Sequence, residues 1–384
     1  MPSKRKRRKT SQIITKIICF CLILAPIFAL CYFILPNKPI QTDSLLAPTK
    51  KLENTPTLLP TPPTKKLEPT ITPTIVKTEP TITIAMPTIT VPSITPVVST
   101  VSNVYCSFPI EQAFPTFTGT SYIIADLNTK EILLSYQPTL QLYPASTIKL
   151  LTAMVGLDLS DAQKQLTMSE TVFQSIASGV AKFGVPTGTT YSLEVWLNLL
   201  LVCSFGDAAN TIAEGTANSI DEFVIQMNNK IKQLGLNHTI VDNAIGLDIG
   251  DGFFNIQSTA NDMLTIAMEA FTYPLIREMI AKPTYTVPAT NTTPETIIQN
   301  SHPFFLMSDS YHSPLFTTIG GKTGTTNAAG NCLITIVKGA DTHRYICVYF
   351  GGKTKDSMSK EIIELLEYII QFRTATQPQK SFYR

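Results

Sequence analysis

At 384 residues the chain is long enough for two ordinary domains, and 30 Lys and Arg against 28 Asp and Glu leave a formal charge of only +2. The positive excess is concentrated at the N-terminus, so the rest of the chain offers no basic stripe for a nucleic-acid partner. The four histidines, His238, His302, His312 and His343, follow no metal-ligand spacing such as His-Glu-x-x-His, which argues against a zinc site.

Residues 1–11 carry six consecutive basic residues, Lys4 to Lys9, and read as a cytoplasmic tail. Residues 12–35 read as a transmembrane signal-anchor, because Ile17 to Leu35 is a run of nineteen residues whose only polar members are cysteine and tyrosine. With the charge cluster on its N-terminal side, the positive-inside bias exports everything that follows. A cleaved signal peptide fits less well, since its apolar core runs to about 7–15 residues before a small-x-small site. The bulky Leu30 before Cys31 also argues against lipoprotein processing. Residues 36–105 form a Pro/Thr-rich linker holding 13 of the 27 prolines, a density that forbids regular helix or sheet. In polyproline II geometry such a segment reaches on the order of 200 Å at most, the dimensions of a spacer.

Residues 106–384 have the composition of a globular domain, and the function must reside there. Ser121–Asp126 and Glu131–Tyr136 alternate as a hairpin about Leu127–Lys130, and Leu333–Lys338 with Tyr345–Phe350 make a second hairpin near the end. Helical apolar spacing appears over 146–159, 193–214 and 220–234, and again over 357–371, where Ile362, Leu365, Leu366, Ile369 and Ile370 form one stripe. The expected fold class is α/β in the α+β sense. Strands from both ends meet in one antiparallel sheet flanked by helices, with a helical lobe between and a cleft where the two parts meet. Of the seven cysteines, Cys19, Cys21 and Cys31 fall in the span. If Val337 pairs with Tyr345, Cys332 faces Phe350 rather than Cys347, so the two read as buried free thiols.

Pro144-Ala145-Ser146-Thr147-Ile148-Lys149 puts a Ser-x-x-Lys where a loop turns into an apolar helix, with Ser146 and Lys149 on one face. The hydroxyl then lies at a helix start, where free N–H groups favour developing negative charge. A lysine is a base only when neutral, so Lys149 must be desolvated and a second cation must lie close. The pattern alone says little, since 3–6 and 357–360 also satisfy it. Ser204, at a break between the apolar runs around Val202 and Ala208, is a candidate proton relay. Gly321-Lys322-Thr323-Gly324-Thr325, just before the closing hairpin, belongs at a sheet edge facing the cleft. There Lys322 supplies the second cation, Thr323 and Thr325 offer hydroxyls to a substrate carboxylate, and Gly324 lets backbone approach backbone.

These three motifs, 55 and then 118 residues apart, resemble the D-alanyl-D-alanine carboxypeptidase family, the low-molecular-weight penicillin-binding proteins. The resemblance spans roughly residues 116–372 and includes Asp207-Ala208-Ala209 and Asn243-Ala244-Ile245-Gly246-Leu247-Asp248. It implies a β-lactamase/transpeptidase-like fold and acylation of Ser146 by a peptidoglycan stem peptide ending in D-Ala-D-Ala. It also implies covalent inhibition by β-lactams, an oxyanion hole from the N–H groups of Ser146 and Thr325, and no cofactor or metal. With the anchor, it implies a single-pass cell-membrane protein whose catalytic domain is extracytoplasmic. The chain departs from the family at Gly206, where an asparagine usually stands. That change implies slower acylation, a relaxed substrate choice, or replacement by Asn210 one turn later. The alternatives are a DD-endopeptidase, a non-catalytic wall-binding homologue, or a serine β-lactamase. For the last, the Glu-x-x-x-Asn at Glu214 to Asn218 is too near Ser204 and reads as helical.

Overall fold

The computed structural model describes residues 104–107, 117–248, 256–306 and 312–376. The expected basic tail, the span and the linker as far as Asn103 lie outside them. Among the described residues no helix is long and apolar enough to cross a membrane.

In chain order the strands are β1 (Val104–Cys106), β2 (Ser121–Asp126), β3 (Ile132–Tyr136), β4 (Gln165–Thr167), β5 (Thr190–Ser192), β6 (Thr284–Val287), β7 (Thr296–Gln299), β8 (Phe316–Thr326), β9 (Gly330–Gly339) and β10 (Arg344–Gly352). Six of them form one antiparallel sheet in the order β1-β3-β2-β10-β9-β8, while β4 with β5 and β6 with β7 make two small ribbons. The first and last hairpins therefore join through β2 against β10, as the sequence demands. β1 corrects the expected end of the linker. Val104 and Tyr105 pair with Tyr136 and Ser135, because β-prone side chains there extend the outer edge of β3.

Both faces of the sheet are covered, which is why all six residues of β2 are buried. Ile123 and Ala125 point into the core shared with the helical lobe, and Tyr122 and Ile124 point to the other face. On that second face lies the helix Lys355–Thr376, with Ile362, Leu365, Leu366, Ile369 and Ile370 each 0% exposed. Each of these side chains contributes about 2 kcal/mol by leaving water. On the lobe side, the helices Lys149–Leu159, Leu193–Val202, Gly206–Ala217, Ile220–Gln233 and Ala260–Ala270 contribute residues to one core around Trp196, whose Nε1–H donates to Leu166 O at 3.0 Å.

Two helix boundaries differ from the apolar spacing. Residues 145–148 are a 3-10 turn, in which Thr147 N–H donates three residues back to Pro144 O at 3.2 Å, and the α-helix begins at Lys149; Ala145 opens the turn with a left-handed φ of 48°. Residues 193–214 split at Cys203-Ser204-Phe205, where Ser204 has φ 67°.

In the closing hairpin Val337 does pair with Tyr345. Leu333 pairs with Tyr349 and Asn331 with Gly352, so Cys332 stands opposite a bulge at Phe350 and Gly351. Cys332 belongs to the lobe-side core and Cys347 to the opposite one, so their side chains leave the sheet in opposite directions. Both are free and buried. Burial pushes the Cys332 thiol up to about 12 and raises that of Cys347 as well. A thiol reagent at neutral pH is expected to leave both unmodified in the folded protein and to label both once denaturant is added, read by mass spectrometry. Modification of either before unfolding contradicts this packing.

Candidate active site

Ser146 is held by a cradle of loop and strand. Asn243 is the hub of the loop, its Oδ1 accepting from the N–H groups of Ile245, Gly246 and Leu247 at 3.1, 2.8 and 3.1 Å. Thr152 ties the helix to the same loop by donating to Ala244 O at 2.8 Å. Gly246, at φ 82°, presses on the turn so closely that a Cβ there would lie 2.2 Å from Ala145 O. From the other direction β8 passes the nucleophile's backbone, and a Cβ on Gly324 would lie 3.0 Å from Ser146 N and 3.1 Å from Thr147 N. Loop and strand are joined to each other where Thr326 donates to Asp248 Oδ2 at 2.6 Å.

Lys149 is 1% exposed, and its Nζ lies 2.8 Å from Ser146 Oγ, 2.9 Å from Ser204 O and 3.4 Å from Ser204 Oγ. The Ser204 carbonyl turns toward the lysine because the left-handed residue breaks the chain between two helices. Lys322, also 1% exposed, donates to Thr323 O at 2.9 Å. Two ammoniums buried in one site are expensive. Burial brings Lys149 down to about 7, against a pull upward from the Asp207 carboxylate. Burial, and then the repulsion of Lys149, holds Lys322 well below its usual value. His302 borders this pair, and burial followed by the Lys322 charge lowers it to about 3. It is therefore a neutral imidazole whose Nδ1 accepts from Phe304 N at 3.2 Å and whose Nε2–H donates to Thr335 Oγ1 at 3.0 Å.

All seven residues singled out from the sequence are brought together. Ser146, Lys149, Ser204, Thr323, Gly324 and Thr325 line one cleft of about 250 Å³, and Lys322 lies buried behind Thr323. The sequence did not single out several others that line it. Ser301, whose hydroxyl meets Thr323 Oγ1 at 2.7 Å, and Val180 carry no motif, and Lys355 reaches the cleft only through the fold.

Asn210 does not replace the amide missing at Gly206. It is buried and donates to Ser175 Oγ at 2.8 Å, because one helical turn carries it about 5.4 Å along the axis, away from the cleft. Glu214 and Asn218 line a separate cavity of about 590 Å³ to which Ser146 and Lys149 do not contribute, and Glu214 is helical. The water-activating pair of a serine β-lactamase is thus not formed by them.

A family model described as D-alanyl-D-alanine carboxypeptidase matches residues 109–354. The chain is 31% identical over 240 residues to the D-alanyl-D-alanine carboxypeptidase DacB2 of Mycobacterium tuberculosis, covering 62% of this chain and 76% of that protein. It is 30% identical over 255 residues to a D-alanyl-D-alanine endopeptidase of Escherichia coli, covering 62% and 74%. The crystal structure of a D-alanyl-D-alanine carboxypeptidase from Mycobacterium tuberculosis superimposes with a TM-score of 0.60 at 28% identity, covering 70% of this chain and 95% of that one.

Gly246→Ala is expected to cost about 2 kcal/mol or more, because it adds a clash with Ala145 O to an unfavourable φ. Urea denaturation checks this, and an unchanged midpoint would show that the loop is not pressed against the turn.

Proposed function

Since the chain belongs to the D-alanyl-D-alanine carboxypeptidase family, we infer that it is a serine hydrolase that removes the terminal D-alanine from peptidoglycan stem peptides. The observation that carries the reading is the 2.8 Å contact between Ser146 Oγ and the buried Lys149 Nζ.

The contacts around Ser146 support the following steps. Neutral Lys149 takes the proton of Ser146 Oγ as that oxygen attacks the carbonyl carbon of the penultimate D-Ala. The N–H groups of Ser146 and Thr325 are assigned to the resulting oxyanion. Ser204 Oγ passes the proton from the Lys149 ammonium to the nitrogen of the departing D-Ala, the C–N bond breaks, and an ester remains on Ser146. Water then attacks the ester carbonyl while Lys149 accepts one of its protons. Ser146 Oγ leaves the acyl carbon and takes its proton from the Lys149 ammonium, which returns to the neutral base.

The terminal carboxylate is assigned to the hydroxyls of Thr323 and Thr325 with Lys322 behind them, and Lys355 adds a cation at the exposed side of the cleft. An arriving carboxylate favours the charged form of Lys322, and the charge gained there in turn disfavours a proton on Lys149. Binding therefore helps to prepare the base. A β-lactam enters the same first step by opening its ring amide, and because its leaving nitrogen stays tethered the ester persists. The basic tail, the span and the spacer assign this domain to the outside of the membrane on a single N-terminal anchor, an assignment supported by the sequence alone.

The neutral fraction of Lys149 grows as pH rises through about 7, so the rate of labelling by a fluorescent penicillin is expected to climb across that range and level off above it. Ser146→Ala abolishes labelling, and Lys149→Met lowers its rate by roughly 10²–10⁴-fold. Mass spectrometry of a muropeptide digest decides the bond cleaved. Loss of one D-Ala from pentapeptides supports the reading, cleavage of cross-links in its place points to an endopeptidase, and no product from folded protein overturns it.

A further inference from the structure

The cleft lining divides by chemistry according to the segment that supplies it. Strand β8 and its neighbours contribute Ser301, Thr323, Thr325 and Thr326, whereas the segments at 179–181 and 245–247 contribute Gly179, Val180, Ala181, Ile245, Gly246 and Leu247. None of these last six has a polar side chain. Val180 and Ile245 of this wall pack over Gly206, the second residue after Ser204 and the first of its helix. A Cβ on Gly206 would lie 2.4 Å from Val180 Cγ1 and 3.4 Å from Ile245 Cγ2, so the room for a side chain at 206 is already filled by Val180.

The segment carrying Val180 is fastened in that position by the stretch Phe205-Gly206-Asp207 and by a bond of its own. Gly206 N–H donates to Ala181 O at 2.7 Å, and Val180 N–H to Ala177 O at 3.4 Å. The Asp207 carboxylate, 0% exposed, accepts from Phe183 N at 3.1 Å and Gly184 N at 2.8 Å. Phe183 and Phe205 also bring their rings within 5.7 Å. The residue that follows Gly206 thus holds the loop that fills the space above it.

We propose that Val180 is a specificity-determining residue of the cleft, taking the volume a polar side chain at 206 would occupy, so that this wall recognises the acyl donor by shape and methyl contact. The substrate class follows: donors whose acyl portion lacks an amide beside the reacting carbonyl are accepted almost as well as donors that carry one. A site with a buried hydrogen-bonding group rejects a ligand that lacks the matching group, because that group is left unpaired. An apolar wall has no such group to leave unpaired.

The proposal rests on acylation of Ser146, and the test separates the two. Acylation rates are measured for benzylpenicillin, which has a side-chain amide, and for 6-aminopenicillanic acid, which does not. The wild-type ratio is expected to be within about fivefold. Gly206→Asn alone slows both compounds by about tenfold or more, because the new side chain collides with Val180. Val180→Gly combined with Gly206→Asn recovers benzylpenicillin and raises the ratio by about tenfold or more. Val180→Thr, of the same shape, raises it several-fold with little change in the melting temperature. If the double variant does not fold, the Val180→Thr ratio decides alone. A ratio unmoved by Val180→Thr overturns the proposal, as does a Gly206→Asn variant that behaves like the double one. Absence of any adduct on the wild-type protein overturns the catalytic reading instead.

Discussion

An amine cannot be a base while it holds its proton, and in this fold two lysines, Lys149 and Lys322, share one site with 1% exposure each. Burial penalises the charge on both, the repulsion of Lys149 adds to it at Lys322, and the Asp207 carboxylate pulls Lys149 part of the way back. The rest of the site is arranged around that constraint. The helix Lys149–Leu159 delivers one ammonium to Ser146, edge strand β8 delivers the other, and the Ser204 carbonyl and the carbonyl of Thr323 accept from them. Such carbonyls hold each lysine in place without neutralising it as a carboxylate salt bridge would.

Placement at this precision draws on backbone that local preference alone would not choose. Ala145 and Ser204 both adopt a left-handed φ without being glycine, one immediately before the nucleophile and the other at the candidate relay. Such conformations cost of order 1–3 kcal/mol each and persist where the surroundings fix them. Here the surroundings are identifiable: Gly246 and the Asn243 loop against the first, and the two apolar helices that meet at Cys203–Phe205 against the second. The sheet and the two cores on its faces supply the rigidity.

Much of this was legible in the sequence because it depends on local spacing. Lys149 follows Ser146 by three positions, which fixes a shared face, and the alternation around Val337 and Tyr345 fixes a hairpin and its register. The stripe on the last helix was legible for the same reason. What was not legible depends on elements distant in the chain. The Val180 segment has no motif, and its place in the cleft follows from hydrogen bonds to Gly206 and Asp207. Ser301 joins the site only because β8 runs beside it. Asn210 was a reasonable substitute on the helical wheel, yet the wheel does not show translation along the axis, and that translation brings it to Ser175. The proline content before Val104 and Tyr105 points to linker, whereas pairing with β3 decides their structure.

On the proposed mechanism the folded protein, before any substrate arrives, already holds Lys149 in a form able to take a proton near neutral pH. Titration of the lysine side-chain resonances by NMR, assigned by comparison with Lys149→Met, tests it directly. The expected result is a resonance that titrates near 7 and disappears in the variant. A Lys149 resonance that remains that of an ammonium up to about pH 10, the range of an ordinary lysine, would contradict it.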